Sequence, residues 1–162
     1  MRIALGSDHR GVEAVKALAV HLNTAGHRAE ILSDTSGEPT DYPDAAWVVA
    51  MAVAKGRADR GVLVCGSGIG VCIAANKVPG ARAALVHDEN SAALSRHHND
   101  ANVLCLPEDL TDSEVARVVD VWLREDFETG GRHERRVGKI AAIERGEDPR
   151  RLDQAPTQHA RS

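Results

Sequence analysis

Five short β-like runs alternate along the chain with stretches of helical periodicity, and few folds accommodate that order. The runs are Arg2 to Gly6, Arg28 to Leu32, Gly61 to Cys65, Arg82 to Val86 and Asn102 to Leu106. Between the first two, Val12, Val15, Leu18, Ala19 and Leu22 recur at helical spacing, and Gly26 stands where a left-handed cap is wanted. Pro43 opens a second helix that carries Trp47, Val48, Met51 and Ala54 on one side and ends near Gly56. A third helix starts inside a glycine turn, a fourth spans Asp88 to His98, and Thr111-Asp112-Ser113-Glu114 is a capping box that opens a fifth. This βαβα order predicts an α/β fold, a mainly parallel sheet with helices on both faces and ligands gathered at the carboxyl ends of its strands. Each polar cluster described below is expected at such an end.

The chain has 162 residues, enough for one domain with its own core; 43% are hydrophobic but only 2% aromatic, so that core is built from Val, Leu, Ile and Ala. The net charge of -4 and the scarcity of rings exclude a duplex-binding surface and a stacking platform for single strands, so no nucleic-acid partner is expected. Cys65, Cys72 and Cys105 lie in apolar surroundings without zinc or redox spacing, which fits a reducing compartment. Met1-Arg2 leads straight into a short apolar run, and no segment is long enough to cross a bilayer; the expectation is a soluble, cytoplasmic protein with no membrane partner. After Gly130-Gly131, a last helical segment from Arg132 to Arg145 carries Val137, Ile140, Ala141 and Ile143 beyond an already complete sheet, and is expected to dock on a partner subunit. Residues 1–146 are expected to form the functional domain, and residues 147–162 a polar, disordered tail.

Four clusters could carry chemistry. In Gly6-Ser7-Asp8-His9, a carboxylate and an imidazole stand side by side at a strand end, though Asp8 could serve only as a helix N-cap. In Cys65-Gly66-Ser67-Gly68-Ile69-Gly70, strand, tight turn and helix aim several N–H groups at one point where an anion can rest and a thiolate is favoured. A dinucleotide fingerprint would need glycine where Val71 stands, and a P-loop would need Gly-Lys-Ser/Thr, so the turn is an anion cradle of another type. Ser95-Arg96-His97-His98-Asn99-Asp100 is dense in proton-moving groups, but adjacent histidines on a helix point about 100 degrees apart and make a poor metal pair. In Gly130-Gly131-Arg132-His133-Glu134-Arg135-Arg136, the i, i+4 spacing of Arg132 and Arg136 lets two guanidiniums converge on one phosphate; the plainer alternative is a solvated basic face.

Taken in order, Ser7-Asp8-His9, Asp41-Tyr42-Pro43, Cys65 to Gly70, Ala74-Ala75-Asn76-Lys77, His98-Asn99-Asp100 and Gly130-Gly131-Arg132-His133 resemble type B ribose-5-phosphate isomerase, in a family that also holds galactose-6-phosphate isomerase subunits. The resemblance runs from about Met1 to Arg145. It implies a Rossmann-like three-layer sandwich, a homodimer or a tetramer of such dimers with active sites between subunits, and aldose–ketose isomerisation of a sugar phosphate without metal or other cofactor. Cys65 would match the base that moves a proton between C1 and C2, with Ser67 assisting; some members use a glutamate one turn on, where this chain has Val71. The amides of Gly66, Gly68, Ile69 and Gly70 would hold the enediolate. His98 with Asp8 would open the sugar ring, Asn99 would hold a hydroxyl, and His9, Arg132 and Arg136 would clamp the phosphate. One departure stands out: after the fifth strand the family usually shows a glycine and an arginine, where this chain reads Leu106-Pro107-Glu108-Asp109. A tetrose 4-phosphate or a hexose 6-phosphate therefore rivals ribose 5-phosphate. A non-catalytic phospholigand-binding module and a cysteine redox sensor are the readings from other classes.

Overall fold

The computed structural model describes residues 1–153 and divides them between two compact units, one spanning Met1–Phe127 and one beginning at Glu128. The first holds β1 (Arg2–Ser7), α1 (Val12–Thr24), β2 (Arg28–Ile31), α2 (Tyr42–Ala54), β3 (Arg60–Cys65), α3 (Ile69–Ala75), β4 (Ala83–Leu85), α4 (Glu89–Asn99), β5 (Val103–Pro107) and α5 (Asp112–Arg124). All five expected strands form, paired in parallel in the order β2-β1-β3-β5-β4. Every crossover runs through a helix, as parallel pairing requires. The fold is the expected Rossmann-like α/β sandwich.

Alternation along the central strands divides the core in two. Ala4, Leu63, Cys65, Val103 and Cys105 face a layer that includes Val49, Val53, Val71 and Ala75 from α2 and α3. Ile3, Leu5, Val62, Val64, Leu104 and Leu106 face Val15, Leu18 and Leu22 of α1, Ala92 of α4 and Val115, Val118, Val119 and Trp122 of α5. Gly6 and Gly61 let α2 approach: a Cβ on either would stand 2.8 or 2.7 Å from a methyl of Val49. Such close contact is what a core short of aromatic rings needs.

The buried face of α2 is centred away from the expected side, whose Val48, Met51 and Ala54 pack at the edge of the core. Trp47 is 59% exposed, while Ala46, Val49, Ala50 and Val53 are buried. α2 is apolar almost all round, so periodicity alone could not choose its inner face, and the glycine-lined groove took the slender side. The helix starts are as expected: Pro43 lies in the first turn of α2, and Thr111 with Glu114 forms the capping box of α5.

The second unit carries α6 (Arg132–Glu144) and a short 3-10 helix (Pro149–Asp153) joined to it by the Lys139–Asp153 ion pair. His133 and Ala142 are the buried residues of α6, whereas Ile140 and Ile143 are exposed. Of the expected tail, residues 147–153 carry this short helix, with Asp148 paired to Arg150; residues 154–162 lie outside the described part.

Candidate active site

β1 and β3 lie side by side and both end in the same place, because Ser7 is in register with Val64. Past those ends the chain supplies Asp8, His9 and Arg10 from one loop and Cys65 to Gly70 from the other. Three of the four clusters have residues of the first unit in play, and two of them meet here. Gly68 makes the turn possible: its φ is +72, and a Cβ on it would stand 2.4 Å from Leu85 Cδ1 and 3.0 Å from the Leu106 carbonyl carbon. With the chain bent that tightly, it passes from the end of β3 straight into α3, and successive amides in a turn of this kind can form a nest for an anion. Ser67 is exposed at the tip, its Oγ accepting from the Ile69 amide at 3.3 Å.

Cys65 is the last residue of β3 and is 4% exposed, its side chain on the layer shared with α2 and α3. Asp8 is buried too, and its Oδ1 accepts from the Arg10 amide at 2.9 Å. It does not cap α1, whose N-cap is Gly11, so the plainer reading of Asp8 falls away. His9 Nδ1 lies 3.3 Å from the Thr40 carbonyl and 3.4 Å from its amide, which ties the imidazole to the loop before α2. That loop ends in Tyr42, whose ring covers Gly70: a Cβ there would stand 2.7 Å from Tyr42 Cε2.

Sequence reasoning missed Arg10 and Glu108. The Arg10 side chain crosses the turn, with Nε 3.5 Å from where a Gly66 Cβ would be. Both Nε, at 2.7 Å, and Nη2 donate to the Glu108 carboxylate, while the Glu108 amide donates to the Gly66 carbonyl at 3.3 Å. Thus Pro107-Glu108, noted as a departure after β5, ties that strand end to a guanidinium from the first loop. Hydrogen bonding to Glu108 raises the Arg10 pKa, with the charges of Asp8 and Cys65 adding to it; Arg10 in turn lowers that of Glu108. A dipeptide pattern gives no sign of this pair, since 98 residues separate its members.

The third cluster lies elsewhere, which corrects the expectation that every cluster sits at the carboxyl ends. His98 and Asn99 close α4, which runs back to the start of β5, and Asn102 there accepts through its carbonyl from the Gly61 amide at the start of β3. At ~3.3 Å per residue, the four steps from Gly61 to Cys65 span ~13 Å. Within the chain, therefore, His98 and Asn99 are a strand's length from Cys65 and Asp8. The rings of His97 and His98 lie 5.3 Å apart between centroids and are tilted by 59°. In the second unit Arg132 and Arg136 are exposed on the first turns of α6, where Arg132 Nε donates to His133 Nε2 at 3.3 Å and a Glu128 carboxylate oxygen lies 3.6 Å from the same nitrogen.

The structure also speaks to the redox alternative. The Cys72 sulfur has Cys105 as its thiol partner: a hydrogen bond from Cys105 lowers the Cys72 pKa to about 7 against the opposing effect of burial, helped by the Leu85 amide and Asn76. Burial raises that of Cys105 well above the ordinary thiol range.

A parallel sheet with a cysteine, an amide turn, a carboxylate and an imidazole around its central carboxyl ends defines an α/β enzyme of the open-sheet type. Comparison with known proteins gives the family. The sequence pattern of the Ribose/Galactose Isomerase family matches residues 3–140. Ribose-5-phosphate isomerase B of Escherichia coli is 45% identical over 144 residues, 88% of this chain and 96% of that protein. D-erythrulose-4-phosphate isomerase of Pectobacterium atrosepticum is 39% identical, over 81% of this chain and 88% of its own. The solved structure of ribose-5-phosphate isomerase B from Mycoplasma genitalium with bound ribulose-5-phosphate superposes with a TM-score of 0.81 at 46% identity, covering 89% of this chain and 96% of that one. The chain belongs to the Ribose/Galactose Isomerase family and is an aldose–ketose isomerase. No helix among the described residues is long and apolar enough to cross a membrane.

Proposed function

We propose that the protein interconverts ribose 5-phosphate and ribulose 5-phosphate in the cytoplasm, as a homodimer whose active site draws on both subunits. What carries this reading is the meeting of Cys65 and Asp8 at the central carboxyl ends while His98 and Asn99, on the same chain, lie a strand's length away. A second copy can bring that far end to this one, so the ring-opening pair becomes Asp8 of one subunit with His98 of the partner subunit.

In this scheme the pair removes the O1 proton of the furanose and delivers a proton to the ring oxygen; the C1–O4 bond breaks and C1 becomes a carbonyl. The Cys65 thiolate then takes the proton from C2. The electron pair forms the C1–C2 double bond, and O1 acquires the negative charge held by the amides of Gly66, Gly68, Ile69 and Gly70. Delivery of a proton from the Cys65 thiol, which exchanges with solvent while the enediolate is held, to C1, with transfer of the O2 proton to O1 assisted by Ser67, leaves the ketone at C2. Asn99 of the partner subunit holds a hydroxyl, and His9, Arg132 and Arg136 hold the phosphate, so that remote binding energy fixes the reacting carbons. No metal or other cofactor enters the scheme.

The Cys65→Ala variant should keep its fold, by circular dichroism and urea unfolding, and lose at least ~100-fold in kcat, the lower bound for removal of a general base. A fully active variant would refute the assignment of the base. A non-catalytic phospholigand module is separated by turnover: wild-type protein that neither converts a sugar phosphate to its ketose or aldose partner nor transfers deuterium from solvent into it is not an isomerase of it.

A second substrate reading rests on the Arg10–Glu108 pair across the turn, which this chain has where the family's usual arginine is missing, and on the tetrose-phosphate isomerase among its relatives. It assigns erythrose 4-phosphate. A panel of four-, five- and six-carbon aldose phosphates, hexose 6-phosphate included, decides by the ratio of kcat/KM values.

A further inference from the structure

α4 ends in a way that the other helices avoid. Past α1, α2 and α6 the chain turns on glycines in the left-handed region, Gly26, Gly56 and Gly146. Past α4 it turns on Asp100, with φ 48, the one non-glycine residue of positive φ among the described residues. A left-handed side chain is strained and persists where its surroundings over-determine it.

Here the surroundings are two arginines. Arg82, ahead of β4, donates from Nη2 to Asp100 Oδ2 at 2.7 Å and from Nε to the Asp100 carbonyl at 2.8 Å. Arg96, inside α4 and 4% exposed, donates from Nη1 to Asp100 Oδ1 at 2.7 Å and to the Ala101 carbonyl at 2.8 Å. The Nε of Arg96 is buried with no hydrogen-bond partner, a second cost accepted at the same spot. Arg60 lies near enough that burial, and then the charge of Arg96, lower its pKa, with Asp100 opposing them. A glycine would end the helix without strain or a carboxylate to satisfy. What the aspartate adds is rigidity: it pins the last turn of α4, which would otherwise fray, to the start of β4 and β5.

That last turn carries His98 and Asn99. We infer that Asp100 is a positioning residue: held by Arg82 and Arg96, it fixes the end of α4 so that His98 meets the ring oxygens of the sugar bound in the partner subunit. The inference rests on the isomerase reading above and makes a demand that a purely structural role does not. His98 is needed only while the C1–O4 bond of the furanose is broken. Ribulose 5-phosphate is acyclic, because its C5 oxygen carries the phosphate, so exchange of its C1 proton with solvent requires Cys65 but no ring opening.

The test compares the two reactions in Asp100→Gly and Asp100→Asn, with His98→Asn as benchmark. Asp100→Gly removes the carboxylate and the strain together; Asp100→Asn keeps a side chain that tolerates the left-handed region and remains available should the first variant fold poorly. Net conversion of ribose 5-phosphate should fall about 10- to 100-fold in kcat, the scale of a catalytic group displaced by about 1 Å. Deuterium exchange into C1 of ribulose 5-phosphate should stay within a factor of three in kcat, and His98→Asn should show the same split. An equal loss in both reactions, or no loss in either, overturns the inference. Wild-type protein that exchanges nothing overturns the isomerase reading itself, a result distinct from either.

Discussion

Replacing Gly68 with alanine tests whether the turn at the end of β3 is as constrained as its geometry indicates. The residue sits at φ +72, where an alanine costs ~1–2 kcal/mol. Its Cβ would stand 2.4 Å from Leu85 Cδ1 and 3.0 Å from the Leu106 carbonyl carbon. The leucine methyl can swing away, but the backbone of β5 cannot, and overpacking of this kind costs ~1–3 kcal/mol. Loss of glycine's freedom in the unfolded chain returns ~0.4–1 kcal/mol, leaving a net destabilisation of ~2–4 kcal/mol. With a urea m-value of ~2 kcal/mol/M, the unfolding midpoint should fall by ~1–2 M. The control is Gly70→Ala, two residues on. There the three atoms nearest the Cβ all belong to the half-exposed ring of Tyr42, the closest at 2.7 Å, which can rotate away, and α3 gains a better helix former. Its midpoint should shift by less than ~0.5 M, since the two small effects oppose each other. Urea curves followed by circular dichroism at matched protein concentration measure both. If Gly68→Ala unfolds within ~0.5 kcal/mol of the wild type, the close packing of the turn against β5 is wrong, and with it the placing of the amides around an anion.

Two further expectations follow from the side chains near that turn. In a Cys65→Ser background, alkylation of Cys72 should rise with pH through about 7, because the hydrogen bond from Cys105 favours the thiolate, and in Cys105→Ala the rise should move toward the ordinary thiol range; an unmoved profile would remove Cys105 as the cause. Arg10→Ala should change stability by less than ~1 kcal/mol, since the ion pair with Glu108 is half exposed, yet alter kcat/KM for sugar phosphates at least ~5-fold, because the guanidinium lies across Gly66; a change below 2-fold on every substrate would show that the pair plays no part in the site.

Much of this architecture was legible along the chain. Short apolar runs such as Val62-Leu63-Val64 alternate with stretches of period about 3.6, and the signals are local: Gly26 past α1, Pro43 in the first turn of α2, the Thr111 and Glu114 box of α5. The cysteine, the glycine turn and the Asp8-His9 pair were visible for the same reason, each being a contiguous motif at a strand end. The inner face of α2 was not, because Trp47 and Val49 are equally apolar and the choice between them was made by Gly6 and Gly61 on neighbouring strands.

Where the chain order stops informing is clearest at the site. Residue types and the order of elements were enough to specify a parallel α/β sheet and the chemistry its motifs can perform, since hydrophobic period and turn chemistry act over a few residues. Which motifs share a place was settled in three dimensions. The helix between β4 and β5 returns His98 to the far end of the sheet, and the register of β1, β3 and β5 brings Arg10 to Glu108 across Gly66. Such distances depend on how strands are ordered and packed, and contacts between residues about a hundred positions apart leave no mark in either one's local sequence.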